Sequence, residues 1–262
     1  MLIARPLLRK FVPRPNILVV PAQSYGGRLP HILLTRPQAQ AHQFADELIE
    51  QGVQPDHITI DPIMKIAPVE APCDVAAYRG LIITSANALR YLPMALRGSQ
   101  LPCYCVGDAT SQAARALGLN AYHLADTARA LCDALPTACQ DGPLLHLRGT
   151  HTTLDMAEHF RSAPLSVENL VIYEQIAVPL RAETLKNLRR SSPVILPVFS
   201  ARSAKLLGRL PLDWRPHQAV ALSPAIAALC QEAGFGQVTI AAQPNRKAMA
   251  AVITPLMDMK NG

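Results

Sequence analysis

The stretch IITSANALRYL, residues 82–92, begins as a short apolar run, turns at Thr84 and Ser85, and continues with apolar residues at helical spacing. This succession predicts a buried strand that leads directly into a helix. The stretch PVFSARSAKLL, residues 197–207, repeats the pattern at an offset of 115 and places Ser200 at the position of Ser85. The chain therefore contains the same strand-to-helix unit twice.

The similarity between the two units continues downstream, where residues 105–126 align with residues 221–242 at an offset of 116. Around both units, short runs rich in Ile, Val and Leu alternate with helically spaced stretches, which is typical of α/β proteins. The predicted strands are residues 31–34, 57–60, 80–83, 103–106, 121–124, 143–147, 168–173, 194–199, 218–222 and 237–241. Ten strands are many for one sheet, so we predict two similar doubly wound (flavodoxin-like) parallel-sheet domains.

Two segments, residues 60–72 with three prolines and residues 171–179 ending at Pro179, interrupt the helical pattern. Proline restricts its own backbone and that of the preceding residue, so both segments are predicted to be extended. If they pair, they form a two-stranded β linker. One domain, residues 67–174, is then inserted into the other, which consists of residues 31–66 plus 178–262.

The net charge of +6 is concentrated at the amino terminus. Residues 1–30 contain five Arg and Lys residues and no acidic residue, so the rest of the chain carries +6 minus +5, or +1. A nearly neutral body lacks the basic surface that nucleic-acid binding requires. Proline interrupts the apolar runs of residues 1–30 before they reach the length of a signal-peptide core. We predict a basic, Pro-rich, poorly ordered extension or an upstream start, with a transit-peptide-like leader as the alternative.

Neither a membrane span nor a cysteine-based site is predicted. No later apolar run approaches the roughly 20 residues needed to cross a bilayer. The six cysteines form no CxxC pair, and no His stands at zinc-finger spacing from them. Core packing in a reduced, cytoplasmic setting explains these cysteines better than metal binding or redox chemistry.

Six predicted strands end in junctions where Ser, Thr, Asp, Gly or Pro occupies the N-cap or first-turn position of a following helix: LLTRPQ, IITSAN, CVGDAT, HLRGTH, VFSARS and ALSPAI. In doubly wound folds, ligands bind beyond the carboxyl ends of the strands, where helix starts present free N–H groups and partial positive charge. A capped helix explains any one junction alone. Six of them around a cleft between two domains predict an anion-binding chamber.

The sequence lacks the motifs of several common kinds of functional site. GxxxxGK[ST] and GxGxxG are absent, so nucleotide binding is not indicated, and without GxSxG neither Ser85 nor Ser200 is indicated as a nucleophile. Four histidines near the junctions accompany no HExxH or paired-carboxylate pattern, and structural or surface roles are predicted for them: His123, His146, His151 and His159.

Basic residues near the junctions are candidates for binding a carboxylate. Arg36 and Arg148 adjoin their strands directly and are the best candidates, while three others lie at the junctions or one turn beyond: Arg90, Arg202 and Lys205. The alternative for each is a solvated position on a helix surface.

Seven motifs share their order and spacing with one enzyme family. They are ILLTRPQAQAHQFADELIEQG (32–52), LIITSANAL (81–89), YCVGDATSQAARALG (104–118), LLHLRG (144–149), VENLVIYEQ (167–175), VFSARSAKLL (198–207) and ALSPAIAALCQEAGF (221–235). Together they resemble uroporphyrinogen-III synthase from about residue 31 to about residue 252. The resemblance implies two α/β domains, one inserted in the other, with the active site in the cleft between them.

The family resemblance also implies a substrate and a reaction. The substrate is hydroxymethylbilane, a linear tetrapyrrole with eight carboxylates, which many helix starts suit without a strongly basic surface. The enzyme removes water and closes the macrocycle with ring D inverted, through a spiro-pyrrolenine intermediate, and uses no cofactor or metal. We therefore predict a cofactor-independent lyase of haem biosynthesis. We expect it to be a cytoplasmic monomer whose possible protein partner is the preceding pathway enzyme.

The predicted site follows the family motifs. Tyr173 matches the family's tyrosine and is predicted to donate a hydrogen bond or proton to the departing hydroxyl. Gly107 and Thr110 fit the family's turn in the first copy, whereas the second copy has Ser223 and Pro224, a departure from the threonine pattern. The predicted substrate-binding residues are Thr35, Arg36, Ser85, Asn87, Gly107, Thr110, Arg148, Gly149, Ser200, Ala201, Ser223 and Pro224.

Two other interpretations stay open on the sequence. One is a non-catalytic two-domain hinge-type protein that binds a small polycarboxylate ligand. The other is a degenerate member of the family retained for protein interaction, which the departure at residues 223–226 supports.

Overall fold

The computed structural model describes residues 30–139, 142–152, 154–189 and 193–257. The predicted extension, apart from residue 30, lies outside the described residues. The described strands are β1 His31–Leu34, β2 Ile58–Ile60, β3 Met64–Pro68, β4 Gly80–Ile83, β5 Pro102–Val106, β6 Asn120–Ala125, β7 Leu144–Gly149, β8 Val167–Ala177, β9 Val194–Val198, β10 Gln218–Ala221 and β11 Gln237–Ile240.

The described α-helices lie between these strands and after β11. They are α1 Gln38–Glu50, α2 Ala86–Arg90, α3 Asp108–Ala116, α4 Ala128–Ala138, α5 Met156–His159, α6 Ala182–Arg189, α7 Ala201–Gly208, α8 Pro224–Glu232 and α9 Arg246–Met257. Single turns of 3-10 helix occupy Pro55–His57, Val75–Ala77 and Met94–Leu96.

The strands form two sheets. The first has five parallel strands in the order β11-β10-β9-β1-β2, and the second has six strands in the order β3-β8-β7-β4-β5-β6. All pairings in the second sheet are parallel except that of β3 with β8. The predicted fold class, two doubly wound α/β units joined through a two-stranded β linker, is confirmed.

The two sheets are circularly permuted copies of one arrangement. The order β11-β10-β9-β1-β2 matches β6-β5-β4-β7-β8 when β4 is superposed on β9. The ladders agree, since Ile32 lies opposite Ile195 in one sheet and Leu144 lies opposite Gly80 in the other. β1 of the five-stranded sheet therefore corresponds to β7 of the six-stranded sheet, with Ile32 equivalent to Leu144. Counting on from this pair, Arg36 is the structural equivalent of Arg148.

The linker is a continuation of the six-stranded sheet. β8 pairs in parallel with β7 along its first part and then antiparallel with β3, from Tyr173 opposite Pro68 to Ala177 opposite Met64. The sequence predicted a strand over residues 168–173 and an extended segment over residues 171–179, and the structure joins most of both in the single strand β8. The domain boundaries at 66–67 and 174–178 fall inside this ladder and stay a prediction.

Helices cover both faces of each sheet, which explains why the central strands β1, β4 and β9 are almost entirely apolar. Ile32 and Leu34 face one core cluster of the five-stranded sheet, while Leu33 and Leu196 face the other. The six-stranded sheet divides its core in the same way, with Ile82 in one cluster and Ile83 in the other. None of the helices in the described part of the chain is long and apolar enough to span a membrane.

Candidate functional site

Each sheet has a crevice where the chain connections leave in opposite directions, between β4 and β7 in one and between β9 and β1 in the other. In doubly wound folds this is the point where ligands bind, beyond the carboxyl ends of the strands. Ser85 and Gly149 lie at the first crevice, and Ser200 and Arg36 lie at the second.

Helices begin directly at five of the six predicted junctions, namely at α1, α2, α3, α7 and α8. The prediction for HLRGTH is wrong. β7 ends at Gly149, residues 150–152 are not helical, and the next described helix is the short α5, which Asp155 caps. The Arg148 side chain explains the loop, because its Nε and Nη2 donate to the carbonyl oxygens of Gly149 and Thr150 at 3.0 and 3.1 Å and fold the backbone back on itself.

The equivalent serines play the same local role in both sheets. The Ser85 hydroxyl accepts a hydrogen bond from the Asn87 N–H at 3.3 Å, and the Ser200 hydroxyl accepts one from the Ser203 N–H at 3.0 Å. Both are therefore N-caps. Among the described residues, the Ser223 hydroxyl makes no capping bond at the start of α8, where Pro224 occupies the first turn.

Tyr173 is buried at the crevice of the six-stranded sheet and is 3% exposed. Its ring lies directly against Gly149, where an added Cβ would come within 2.7 Å of the ring Cζ. The other neighbour is Tyr91, whose ring stacks at 6.2 Å between centroids. Burial raises the pKa of the Tyr173 phenol, while hydrogen bonding to the Ser85 hydroxyl and the Gly149 backbone and the charge of Arg148 oppose that rise. The phenol is protonated at neutral pH.

The two equivalent arginines differ in what their guanidinium groups contact. Arg148 is engaged by its own loop and by Asp155, whose Oδ2 lies 3.3 Å from Nη1. Arg36 lies over the ring of Phe199, with Cζ 3.8 Å from the centroid, and its Nη1 is buried without a hydrogen-bond partner among the described residues. Burial, with Arg246 nearby, lowers the pKa of Arg36 to about 10, so the side chain is still charged at pH 7.

The remaining predicted residues are distributed around the two crevices. Thr35 is buried at the end of β1, and Ala201 is the first residue of α7. Gly107 and Thr110 lie at the end of β5, one strand beyond Ser85, and Gly107 has a φ of 77° that favours glycine. Ser223 and Pro224 occupy the equivalent place beyond β10.

Contacts between the two sheets bring in residues that the motifs did not indicate. The Gln40 side chain on α1 donates to Asn87 Oδ1 on α2 at 2.7 Å, which fixes the orientation of the Asn87 amide. Arg202 on α7 donates to the Gln175 carbonyl on β8 at 3.4 Å. Burial lowers the pKa of His151, and the charge of Arg202 acts in the same direction. Gln40 and Gln175, like Tyr91, carry no sequence signal, because only the packing of the two sheets places them at the crevice.

A cavity of about 570 Å³ lies beside the linker, between the start of α1 and the end of α2. Its wall includes two basic side chains, Lys65 and Arg90, and the acidic Asp61. Asp61 is neutralised by Arg181, whose backbone N–H and Nε lie 2.9 and 3.3 Å from its carboxylate oxygens. The cavity therefore suits an anionic group. In the part of the chain that the structure describes, no group of three His, Cys, Asp or Glu side chains is placed to hold a metal ion.

The fold and crevices define a two-domain α/β protein with strand-end sites on both sides of a β linker. A family model described as "HEM4: Uroporphyrinogen-III synthase HemD" matches residues 42–251, which is most of the chain. The chain belongs to the uroporphyrinogen-III synthase family, as the motifs predicted.

Two bacterial structures are similar to this chain. Uroporphyrinogen-III synthetase from Helicobacter pylori 26695 superposes with a TM-score of 0.64 at 17% identity, covering 87% of this chain and all of that one. Uroporphyrinogen III synthase from the bacterium Thermus thermophilus gives a TM-score of 0.37 at 12% identity, covering 87% of this chain and 97% of the other. Comparison with curated protein sequences finds no match. At these identities the structural likeness concerns the fold.

Proposed function

We propose that the protein converts hydroxymethylbilane to uroporphyrinogen III with inversion of ring D and loss of water, as a cofactor-independent cyclising lyase. Membership of the family supports the reaction. The observation that carries the site is the buried Tyr173, which lies between Gly149 and Tyr91 at the crevice beyond β4 and β7.

The Tyr173 phenol acts on the leaving group in this proposal. Loss of the hydroxymethyl oxygen as water requires a proton, and a buried phenol with a raised pKa is protonated and able to donate a hydrogen bond to that oxygen. The pyrrole nitrogens expel the leaving group, and ring D then attacks the electron-poor carbon through its substituted position. Because the phenol is a weak acid, it contributes less than an ordinary general acid.

Replacing Tyr173 with phenylalanine is expected to lower kcat about tenfold while KM and the fold are kept, since the change removes one hydroxyl and leaves the ring in place. Turnover is measured as formation of the type III isomer, and circular dichroism checks the fold. Unchanged turnover in Tyr173→Phe would remove this hydroxyl from the mechanism.

Substrate carboxylates are assigned to the strand ends. The helix starts after Ser85, Gly107, Ser200 and Ser223 offer partial positive charge, with Thr110, Gly149, Thr35, Ala201 and Pro224 shaping the surface around them. Asn87 would bind a substrate carboxylate through its amide N–H groups, because a carboxylate only accepts hydrogen bonds. We assign the strongest contact to Arg36, because Arg148 already satisfies its own loop whereas Nη1 of Arg36 is buried without a partner among the described residues.

In this proposal, contacts with the substrate at both crevices determine which isomer is formed. Closure without an enzyme gives the symmetric type I isomer, so the protein must hold the chain in the folded conformation that leads to inversion of ring D. Such control by orientation is worth several kcal/mol. We also propose that the protein acts as a monomer in the cytoplasm and receives its unstable substrate from the preceding pathway enzyme. The proposal is tested by giving purified protein fresh hydroxymethylbilane and separating the isomers.

A further inference from the structure

A chain of polar side chains crosses the crevice beside Tyr173. The Thr84 hydroxyl lies 3.2 Å from Nε2 of His146, and Nδ1 of His146 lies 3.1 Å from Oδ1 of Asn169. Asn169 Nδ2 donates to Asp155 Oδ1 at 2.7 Å, and Asp155 Oδ2 contacts Arg148 Nη1 at 3.3 Å. The chain thus runs from the residue before Ser85 to the residue before Gly149, joining the ends of β4 and β7.

The direction of every hydrogen bond in this chain follows from its charged end. The Asp155 carboxylate only accepts, so Asn169 turns its NH₂ group toward Asp155 and its carbonyl oxygen toward His146. That oxygen also only accepts, so His146 carries its proton on Nδ1 and presents a bare Nε2 to the Thr84 hydroxyl. A neutral imidazole satisfies all partners. His146 is fully buried and its pKa is lowered to about 4 by burial, with Arg148 acting in the same direction and Asn169 and Asp155 against it.

The five-stranded sheet provides an internal comparison. Because Leu34 pairs with Ile60 as His146 pairs with Asn169, the positions of the two sheets correspond residue by residue. The equivalent positions hold apolar side chains: Leu34 for His146, Phe199 for Thr84 and Ile60 for Asn169. In the five-stranded sheet, apolar side chains pack at these three positions. The fold can therefore form without the polar network. It occurs in the copy that holds Tyr173.

We propose that Thr84, His146 and Asn169 are positioning residues for Tyr173. This network of hydrogen bonds fixes Thr84 and Arg148. Their neighbours in the sequence, Ser85 and Gly149, contact the Tyr173 phenol. A polar network whose members are all satisfied holds a single geometry more strictly than apolar packing does. This inference rests on the proposed function, because it assigns the network to the reaction in which Tyr173 acts.

A double-mutant cycle tests the assignment. In the wild-type background, His146→Leu is expected to lower kcat for the type III isomer about 20-fold with little change in KM, because it leaves Thr84 and Asn169 without their partner. In a Tyr173→Phe background the same substitution is expected to lower kcat less than about threefold, since the group that it positions is already absent.

The matched control is His217→Leu. His217 is 1% exposed and bonds to the Leu188 carbonyl and the Val194 N–H at 2.9 and 3.3 Å, but it lies in the other sheet. Its replacement is expected to lower Tm and to change kcat by the same factor in both backgrounds. Equal factors for His146→Leu in the two backgrounds would overturn the inference.

A second measurement reports the protonation of His146 in the wild-type protein directly and requires only one variant, for assignment. Nitrogen-15 NMR of labelled histidine is expected to show His146 as the Nδ1–H tautomer at pH 7, still neutral at pH 5.5, with its signal assigned by its loss in His146→Gln. An Nε2–H tautomer or a charged ring would contradict this arrangement of hydrogen bonds.

If the wild type forms only the type I isomer, the proposed function fails and the positioning role fails with it. If the wild type forms the type III isomer without coupling in the cycle, only the positioning role fails.

Discussion

Gly149→Ala is expected to reduce turnover about 100-fold, a larger loss than removal of the Tyr173 hydroxyl itself. The added Cβ would lie within 2.7 Å of Cζ of the Tyr173 ring and closer still to Cε2. The Tyr173 ring, which also stacks with Tyr91 at 6.2 Å between centroids, must shift to make room for that Cβ. The substitution therefore displaces the whole phenol ring from Ser85, whereas Tyr173→Phe removes only the hydroxyl and leaves the ring in place. Steady-state kinetics on the purified variant measures the effect.

Gly80→Ala is the matched control for this substitution. Gly80 begins β4 in the same sheet, and a Cβ there would meet Leu144 Cδ2 at 2.9 Å and the Pro102 carbonyl oxygen at 3.1 Å. Both variants are expected to lose about 1–3 kcal/mol of stability through overpacking. Only Gly149→Ala is expected to lose most of its turnover. Equal residual turnover in the two variants, at a temperature where both are folded, would show that the contact with Tyr173 does not matter to the reaction.

The second large effect is expected for Arg36→Met, with kcat/KM lower by about 10- to 100-fold, mostly through KM. A charge-assisted hydrogen bond to a carboxylate contributes about 1.5–3 kcal/mol, and each 1.4 kcal/mol corresponds to a factor of ten. Because Nη1 of Arg36 is buried without a partner among the described residues, removal of the charge is expected to leave Tm unchanged or raise it. Weaker binding together with equal or higher stability is the expected sign of a residue kept for its ligand.

Arg148→Met is the comparison for this prediction, because Arg148 is the structural equivalent of Arg36 in the other sheet. Its guanidinium holds the Gly149 and Thr150 carbonyl oxygens and contacts Asp155. We expect a lower Tm and a lower kcat, since the loop beside Tyr173 loosens, with KM raised less than threefold. If Arg148→Met raises KM and Arg36→Met does not, the assignment of the two arginines is reversed.

The sequence was sufficient to predict the sheets because strands buried on both faces are apolar throughout and are bounded by turn residues. It also predicted that residues 60–72 and 171–179 are extended and would form a β linker if they paired, and Met64–Pro68 does pair with Tyr173–Ala177. The sequence did not reveal that the two sheets are circularly permuted. The repeat was recognised from β4 and β9, whereas β1, which precedes β9 in the chain, corresponds to β7, which follows β4. That relation, once seen in the sheets, makes Arg36 and Arg148 a pair.

The site was less predictable than the fold. Ser85 and Ser200 were found as helix starts from a local signal, and the structure places a cap at each. Tyr91 and Gln40 act through contacts between distant segments, and no periodicity or motif encodes such contacts. The junction HLRGTH resembled the others in composition, but the Arg148 side chain turns the backbone into a loop there. A side chain that bonds to its own backbone competes with helix formation in a way that residue type alone does not show.

The central claim is that the two strand-end crevices impose ring inversion on a linear tetrapyrrole. Its most direct test is to add purified protein to freshly prepared hydroxymethylbilane and to separate the products by chromatography, with a protein-free sample to record spontaneous closure. We expect predominantly the type III isomer in the presence of the protein and type I in its absence. Type I alone in both samples, from protein that circular dichroism shows to be folded, would contradict it.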